Sequence, residues 1–223
     1  MHDTAMAIGQ KFFDNYAESC WRTVIEVGSM DVNGSLRSVA PDNVTYLGLD
    51  AEYGKSVDIK VKIGDPLPFR DNFADCLVSS SQLEHDEFFW ITFLEYARVI
   101  RPGGLIYINA PSNGDYHRYP NDNWRFYPDC GKVLKKWAQK NGYDVELIES
   151  FVANRQNDVW NDFVCIFRKG SEYVEKGKFV SDEISCRNVW KVGAQEPERF
   201  SAIVEDRELF SRLPETVRSP DGN

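Results

Sequence analysis

This 223-residue chain has only three imidazoles, His2, His85 and His117. An unperturbed imidazole titrates near ~6.5, so such a ring is the natural carrier of a proton at neutral pH. His117 lies in the run Pro111–Asp129, which also holds Tyr116, Arg118, Tyr119, Asp122, Trp124, Arg125, Phe126 and Tyr127. Aromatic faces beside Asp, Asn and Arg suit a sugar or another polyhydroxylated ligand, because rings supply apolar area while polar groups orient hydroxyls. Tyr116, Arg118, Trp124 and Arg125 are therefore the candidate contacts to such a molecule. Where a hydroxyl must lose its proton, His117 is the first candidate base, His85 the second and Asp122 the reserve. A packing reading competes with this one. In it Trp124, Phe126 and Tyr127 seat the loop on the protein while Asp122 and Arg125 pair. Asp86, Glu87 and Asp115 flank the histidines, but no ligand spacing stands out and no metal is expected.

A second set of polar residues falls at the ends of apolar runs. Val24-Ile25-Glu26-Val27-Gly28-Ser29 reads as a strand ending in an acid and a glycine turn. Such a turn presents backbone N–H groups, and the start of a helix, at the carboxyl edge of a sheet. Met30 stands where the dinucleotide motif Gly-x-Gly-x-x-Gly needs its second glycine, which disfavours a nicotinamide cofactor. Asp50, followed by Ala51, closes the next apolar run and can accept both hydroxyls of a ribose; capping a helix is the plainer role for it.

These residues need elements to position them. Strands are expected at Thr23–Val27, Asn43–Leu49, Val57–Val61, Ala74–Ser79 and Gly104–Asn109, with closing strands at Val145–Ser150 and Asp162–Phe167. Near-continuous apolar runs separated by helical segments point to a sheet covered on both faces. Apolar residues recur every three to four positions over Glu87–Ile100, a helix ended by Arg101-Pro102-Gly103-Gly104; a second is expected over Asp129–Asn141. Ile8, Phe12, Phe13 and Tyr16 fall at helical spacing within Ala5–Trp21. The fold class is α/β: a doubly wound, Rossmann-like sheet with helices on both faces.

The motifs taken in order have a familiar sequence. Glu-x-Gly at 26–28, Gly64-Asp65, Leu67-Pro68-Phe69-Arg70-Asp71-Asn72-Phe73-Ala74-Asp75, Leu83-Glu84-His85 and Arg101-Pro102-Gly103-Gly104 resemble the class I S-adenosylmethionine-dependent methyltransferases, the type 11 group most closely. The resemblance covers residues 23 to about 168. It implies a seven-stranded, mostly parallel sheet, S-adenosylmethionine as cofactor, and methyl transfer to a small, hydroxylated acceptor such as a sugar or a secondary metabolite. It also implies roles for residues. Glu26, Gly28 and Ser29 would hold the amino-acid end of the cofactor, and Asp50 with Ala51 the ribose. Asp65 would stand near the adenine amino group, Ser80 beside the methionine portion, and His85 at the mouth of the transfer site. A helix over the N-terminal segment would lid the cofactor. The glycine loop is leaner than the family's, and Pro66 has no N–H to offer the adenine ring.

Composition bounds what remains. Twenty-six Lys and Arg against 35 Asp and Glu leave a net charge of −9, so no basic field recruits nucleic acid or an anionic membrane. No apolar run reaches the roughly 18 residues of a membrane span, and no export signal opens the chain. The five cysteines form no Cys-x-x-Cys pair; reduced thiols and a cytoplasmic location are expected, with Cys76 as a small core residue. The domain division falls at residue 168. Residues 169–223 read as an appendage that covers the site or contacts a partner, a second copy of the chain included. Their apolar content, Tyr173, Phe179, Val180, Val189, Trp190, Leu209 and Phe210 among it, exceeds that of a solvated tail, although the end at 218–223 looks frayed. Three rivals stand beside the methyltransferase reading. They are a cofactor-binding protein without turnover, a nicotinamide oxidoreductase (which lacks a Tyr-x-x-x-Lys pair here), and an assembly arm on a methyltransferase scaffold.

Overall fold

The computed structural model describes residues 3–157, 159–170, 178–203 and 207. Tyr173, Leu209, Phe210 and the chain end at 218–223 lie outside them. A single sheet runs through the described chain in the order β3-β2-β1-β4-β5-β7-β6-β8. Its strands are β1 (Thr23–Val27), β2 (Thr45–Asp50), β3 (Ile59–Lys60), β4 (Ala74–Ser80), β5 (Ile100–Pro111), β6 (Val145–Ala153), β7 (Asp162–Lys169) and β8 (Cys186–Lys191). The first five pair in parallel; β7, β6 and β8 add antiparallel. The seven expected strands are present, and the appendage supplies the eighth.

The helices are α1 (Asp3–Tyr16), α2 (Phe89–Val99), α3 (Asp129–Lys140) and the single turn α4 (Val180–Glu183). They cover both faces. Phe93, Tyr96, Ala97 and Val99 of α2 and Leu134 and Ala138 of α3 join Ile25, Leu77, Ile106 and Phe167 in one core layer. Ile8, Phe12, Phe13 and Tyr16 of α1, with Val180 and Val189 of the appendage, pack against Val24, Val78, Tyr107 and Ile166 in the other. Strands covered on both sides favour apolar residues at successive positions: β4 is buried along its whole length, and its centre is the apolar run Cys76-Leu77-Val78. Cys76 is fully buried in that strand. α2 ends at Val99, and Arg101–Gly104 bulge within β5, where the register jumps from Ala74–Ile100 to Cys76–Leu105.

One expectation needs correction. No α-helix follows the Gly28 turn: residues 28–35 form a loop and Leu36–Val39 a short 3-10 helix. Ser, Asp, Asn and Gly fill that loop, and the Asp31 carboxylate accepts from Gly34 N at 2.8 Å, a local bond that competes with a helix. The described part of the appendage is fastened to the sheet. Buried Glu149 of β6 accepts from Val180 N (2.9 Å), Ser181 N (3.0 Å) and the Tyr16 hydroxyl (2.8 Å), tying α4 and α1 to the sheet. Among the described residues, no helix is long and apolar enough to cross a membrane.

Candidate functional site

From β1 the chain moves outward through β2 and β3, then returns to β4 and β5 on the other side of β1. Open α/β sheets bind ligands in the crevice outside the strand ends at such a reversal. Here the crevice is a cavity of about 1500 Å³. A single small-molecule site occupies roughly 300–1,000 Å³, so this one accommodates two molecules.

All seven residues expected to hold the cofactor, Glu26, Gly28, Ser29, Asp50, Ala51, Asp65 and Ser80, are on the cavity wall. The Gly28 turn closes onto the end of β2: Gly28 N and Ser29 N both donate to Leu49 O, at 2.9 and 3.0 Å, and Met30 N donates to Asp50 Oδ2 at 3.0 Å. Gly28 has φ +81°, and a Cβ there would stand 2.7 Å from Gln82 Cβ, so only glycine lets β1 and β4 approach at this point. Glu26 turns beneath the loop, accepts from Ser35 Oγ at 3.2 Å, and is pushed up to about 7 by burial. Asp65 sits at the rim, its side chain 57% exposed and 3.9 Å from the Lys62 ammonium.

The second group surrounds the histidines. His85 and His117 lie ring to ring, 5.0 Å apart and edge to face, with Trp160 a further 5.0 Å from His117. His85 Nδ1 faces the Asn121 carbonyl oxygen, and burial lowers the ring's basicity. His117 Nδ1 lies 3.2 Å from Asp115 O and 3.4 Å from Asp122 Oδ2. Burial would raise Asp122, but two bonds from the Arg125 guanidinium (2.6 and 2.8 Å) and one from His117 N (2.8 Å) outweigh it and hold the carboxyl at about 2. Glu84 is buried beside His85, Oε1 to Nε2 3.6 Å, and burial pushes it up to about 8.

The structure separates the expected acceptor contacts. Arg118 joins His85 and His117 on the cavity wall, while Tyr116, Asp122, Trp124 and Arg125 do not. Tyr116 is 74% exposed. Trp124 donates from Nε1 to Asp86 O at 2.8 Å and packs against Phe89 and Trp90, and Phe126 is buried. For Trp124, Phe126 and the Asp122–Arg125 pair the packing reading describes what the structure holds. Their work is to fasten the loop to 84–86, aided by Asn123 N to Glu84 O at 2.7 Å and Asn123 Nδ2 to His85 O at 3.1 Å. Two wall residues were missed in the sequence. Glu84 sits inside Leu-Glu-His, where nothing in its spacing marks it, and Trp160 stands in a polar connection where a lone indole is the available signal. Gly114 (φ +104°) packs so closely on Trp160 that a Cβ would come within 2.2 Å of its ring. Among the described residues, none of α1 lines the cavity; its Met6 instead touches the loop at Gly34.

Comparison with known proteins places this geometry. The family model for a methyltransferase domain matches residues 11–108. A comparison with curated proteins returns no match. Among solved structures, 1,6-didemethyltoxoflavin-N1-methyltransferase of Burkholderia thailandensis, with 1,6-didemethyltoxoflavin and S-adenosylhomocysteine bound, is similar with a TM-score of 0.58 at 11% identity over 75% of this chain and 79% of that one. A SAM-dependent methyltransferase of Archaeoglobus fulgidus gives a TM-score of 0.55 at 14% identity over 74% and 93%. The [4+2]-cyclase SpnF gives 0.54 at 14% identity over 74% and 82%, so the fold alone does not fix the chemistry.

The family implies S-adenosylmethionine, and the wall fits it. The hydroxyls of Ser29 and Ser80 are buried without a hydrogen-bond partner among the described residues, an arrangement that calls for a ligand. Asp50 Oδ1 makes only a 3.3 Å contact with Glu52 N, which leaves it lone pairs for ribose hydroxyls. Residues 11–108 match the model of a methyltransferase domain, and across the sheet the chain shares the fold of solved S-adenosylmethionine-dependent methyltransferases.

Proposed function

We propose that the protein transfers a methyl group from S-adenosylmethionine to a hydroxyl of a small, polyhydroxylated acceptor. The observation that carries this reading is one continuous cavity whose wall includes both the Asp50 end and the histidine pair, with volume for two molecules. Asp50 takes the ribose hydroxyls, Ser29 and Ser80 the methionine portion, Glu26 braces the turn beneath them, and Asp65 reaches the adenine from the rim. When bound, S-adenosylmethionine supplies an electrophilic methyl on a sulfonium and leaves as S-adenosylhomocysteine. Because that methyl is already activated, the protein's task is to position the acceptor and keep water out. Arg118 and Trp160 frame the acceptor, and His117, backed by Asp122, stands where its hydroxyl proton leaves.

Calorimetric titration with S-adenosylmethionine, S-adenosylhomocysteine and NADH tests the cofactor. Micromolar binding of the first two is expected. Asp50→Ala should weaken it about ten- to a hundredfold, the worth of hydrogen bonds to a charged group. Failure of both to bind, or preference for NADH, overturns the reading. Release of S-adenosylhomocysteine over a panel of sugars and hydroxylated aromatics tests turnover; binding without release from any of them favours a cofactor-binding protein that does not catalyse.

A further inference from the structure

We propose that Glu84, His85 and His117 hold a divalent transition-metal ion at the acceptor end of the cavity. One ligand atom from each lies within 4.8 Å of the other two, and all three residues are on the cavity wall. His85 Nε2 and Glu84 Oε1 are already 3.6 Å apart. Two ligands of a tetrahedral ion with bonds of ~2.1 Å sit roughly 3.4 Å from each other.

The surroundings of the two rings are what metal-binding histidines require. A ligating imidazole uses one nitrogen for the ion and donates its other N–H to a carbonyl or carboxylate, which fixes tautomer and orientation. His85 Nδ1 faces the Asn121 carbonyl, and His117 Nδ1 faces the Asp115 carbonyl at 3.2 Å with the Asp122 carboxylate at 3.4 Å. In both rings Nε2 is therefore left with its lone pair. The bonds from Arg125 hold Asp122 in place, and Trp160 packs on His117, so the outer groups are themselves braced.

The third ligand supplies an independent observation. Glu84 is 1% exposed, and its Oε2 has no hydrogen-bond partner among the described residues. A buried carboxylate oxygen in that state is costly, and a cation bound beside it removes the cost. No short spacing marks this trio in the sequence. Glu84 and His85 follow β4, His117 follows β5, and the parallel pairing of those strands brings them together.

Two imidazoles and one carboxylate suit Zn²⁺, Fe²⁺, Co²⁺ or Mn²⁺ better than Ca²⁺ or Mg²⁺, which prefer oxygen ligands throughout. Three protein ligands leave a position open, the arrangement of catalytic rather than structural sites. All three residues line the cavity, so the ion's open position would be accessible from it. What it does there rests on the methyl-transfer reading: an acceptor hydroxyl bound to the ion is acidified, its proton passes to solvent, and its oxygen keeps the electron pair that forms the new O–CH₃ bond. With the ion bound, the imidazoles of His85 and His117 act as ligands, and the ion takes over from His117 the task of promoting loss of the hydroxyl proton.

The experiment uses the untagged full chain after dialysis against EDTA, titrated with ZnCl₂, MnCl₂ and, as a control, MgCl₂. One Zn²⁺ per chain is expected, at least tenfold tighter than Mg²⁺, with visible d–d absorption on loading with Co²⁺. His117→Gln and Glu84→Gln should each weaken Zn²⁺ tenfold or more while S-adenosylhomocysteine still binds, which shows that the fold survives. Zn²⁺ binding unchanged by His117→Gln and His85→Ala overturns the proposal, as does absence of a one-per-chain site. Metal bound without S-adenosylmethionine would retain the site and reject the methyl-transfer reading. S-adenosylmethionine bound and turned over equally with and without metal would retain the methyl-transfer reading and reject the ion's part in it.

Discussion

Burial raises the Glu26 carboxyl to about 7 against 4.5 in the unfolded chain, and that difference has a measurable thermodynamic sign. Below 4.5 both states hold the proton and the group costs nothing. Between 4.5 and 7 the unfolded chain has released its proton while the folded chain retains it, so stability falls as pH rises. Above 7 the full cost, about 3 kcal/mol for a shift of this size, is in place. Glu26→Gln keeps the bond to Ser35 and removes the ionisation. Its gain over the parent should be near zero at pH 4.5 and reach a few kcal/mol at pH 8, read from urea midpoints at the two pH values. An equal gain at both would place the effect in packing. At this scale the sequence was informative wherever a residue's role follows from its place at a strand end: Glu26, Gly28, Asp50 and Ser80 all reach the cavity. It was uninformative where the role depends on which way a loop folds. Trp124 and Arg118 are six residues apart in one aromatic run, yet the first anchors the loop to Asp86 O and the second lines the cavity.

At the scale of elements, the joint between Glu149, α1 and α4 concentrates stability in one buried group. Glu149→Ala leaves the Tyr16 hydroxyl and two backbone N–H groups without their acceptor, a cost of about 3 kcal/mol or more. For a chain of this length that lowers Tm by roughly 6–12 °C. Calorimetry of the variant checks it; a shift under about 2 °C would mean that water replaces the carboxylate. The strand pattern was legible because buried parallel strands cannot avoid apolar runs, and Thr23–Val27 and Ala74–Ser79 were read nearly to the residue. The helix expected after Gly28 was not there, because Asp31, Asn33 and Gly34 favour local turns over a helical ladder. β8 escaped notice for a different reason. Cys186-Arg187-Asn188-Val189-Trp190-Lys191 has no apolar run, and Asn188 sits at φ +52°, so pairing with β6 rather than intrinsic preference makes it a strand.

On the scale of the whole molecule, β8 closes one edge of the sheet. A chain ending at Lys169 would present the β6 backbone unpaired and uncover the apolar layer that Val180, Cys186 and Val189 now seal. An exposed edge over apolar surface pairs with another copy, so this truncation should self-associate in light scattering where the full chain does not enlarge under the same conditions. A monodisperse truncated chain would show that β6 protects itself. The two halves of the sheet are built unequally. From β4 onward every strand packs beneath α1, α2, α3 or α4, whereas residues 28–73, which carry Asp50, Ala51 and Asp65, contain no α-helix. Most of 51–66 is exposed. Segments with few buried contacts and solvated amides open at low free energy. If this wall holds a nucleoside, as proposed, its ligand rather than folding would finish it. Amides across 51–66 should exchange with deuterium rapidly in the free protein and slow at least tenfold with S-adenosylhomocysteine bound, while those of β4 and β5 hardly change. The same ordering should give binding a heat-capacity decrease larger than a rigid cavity of this lining would produce.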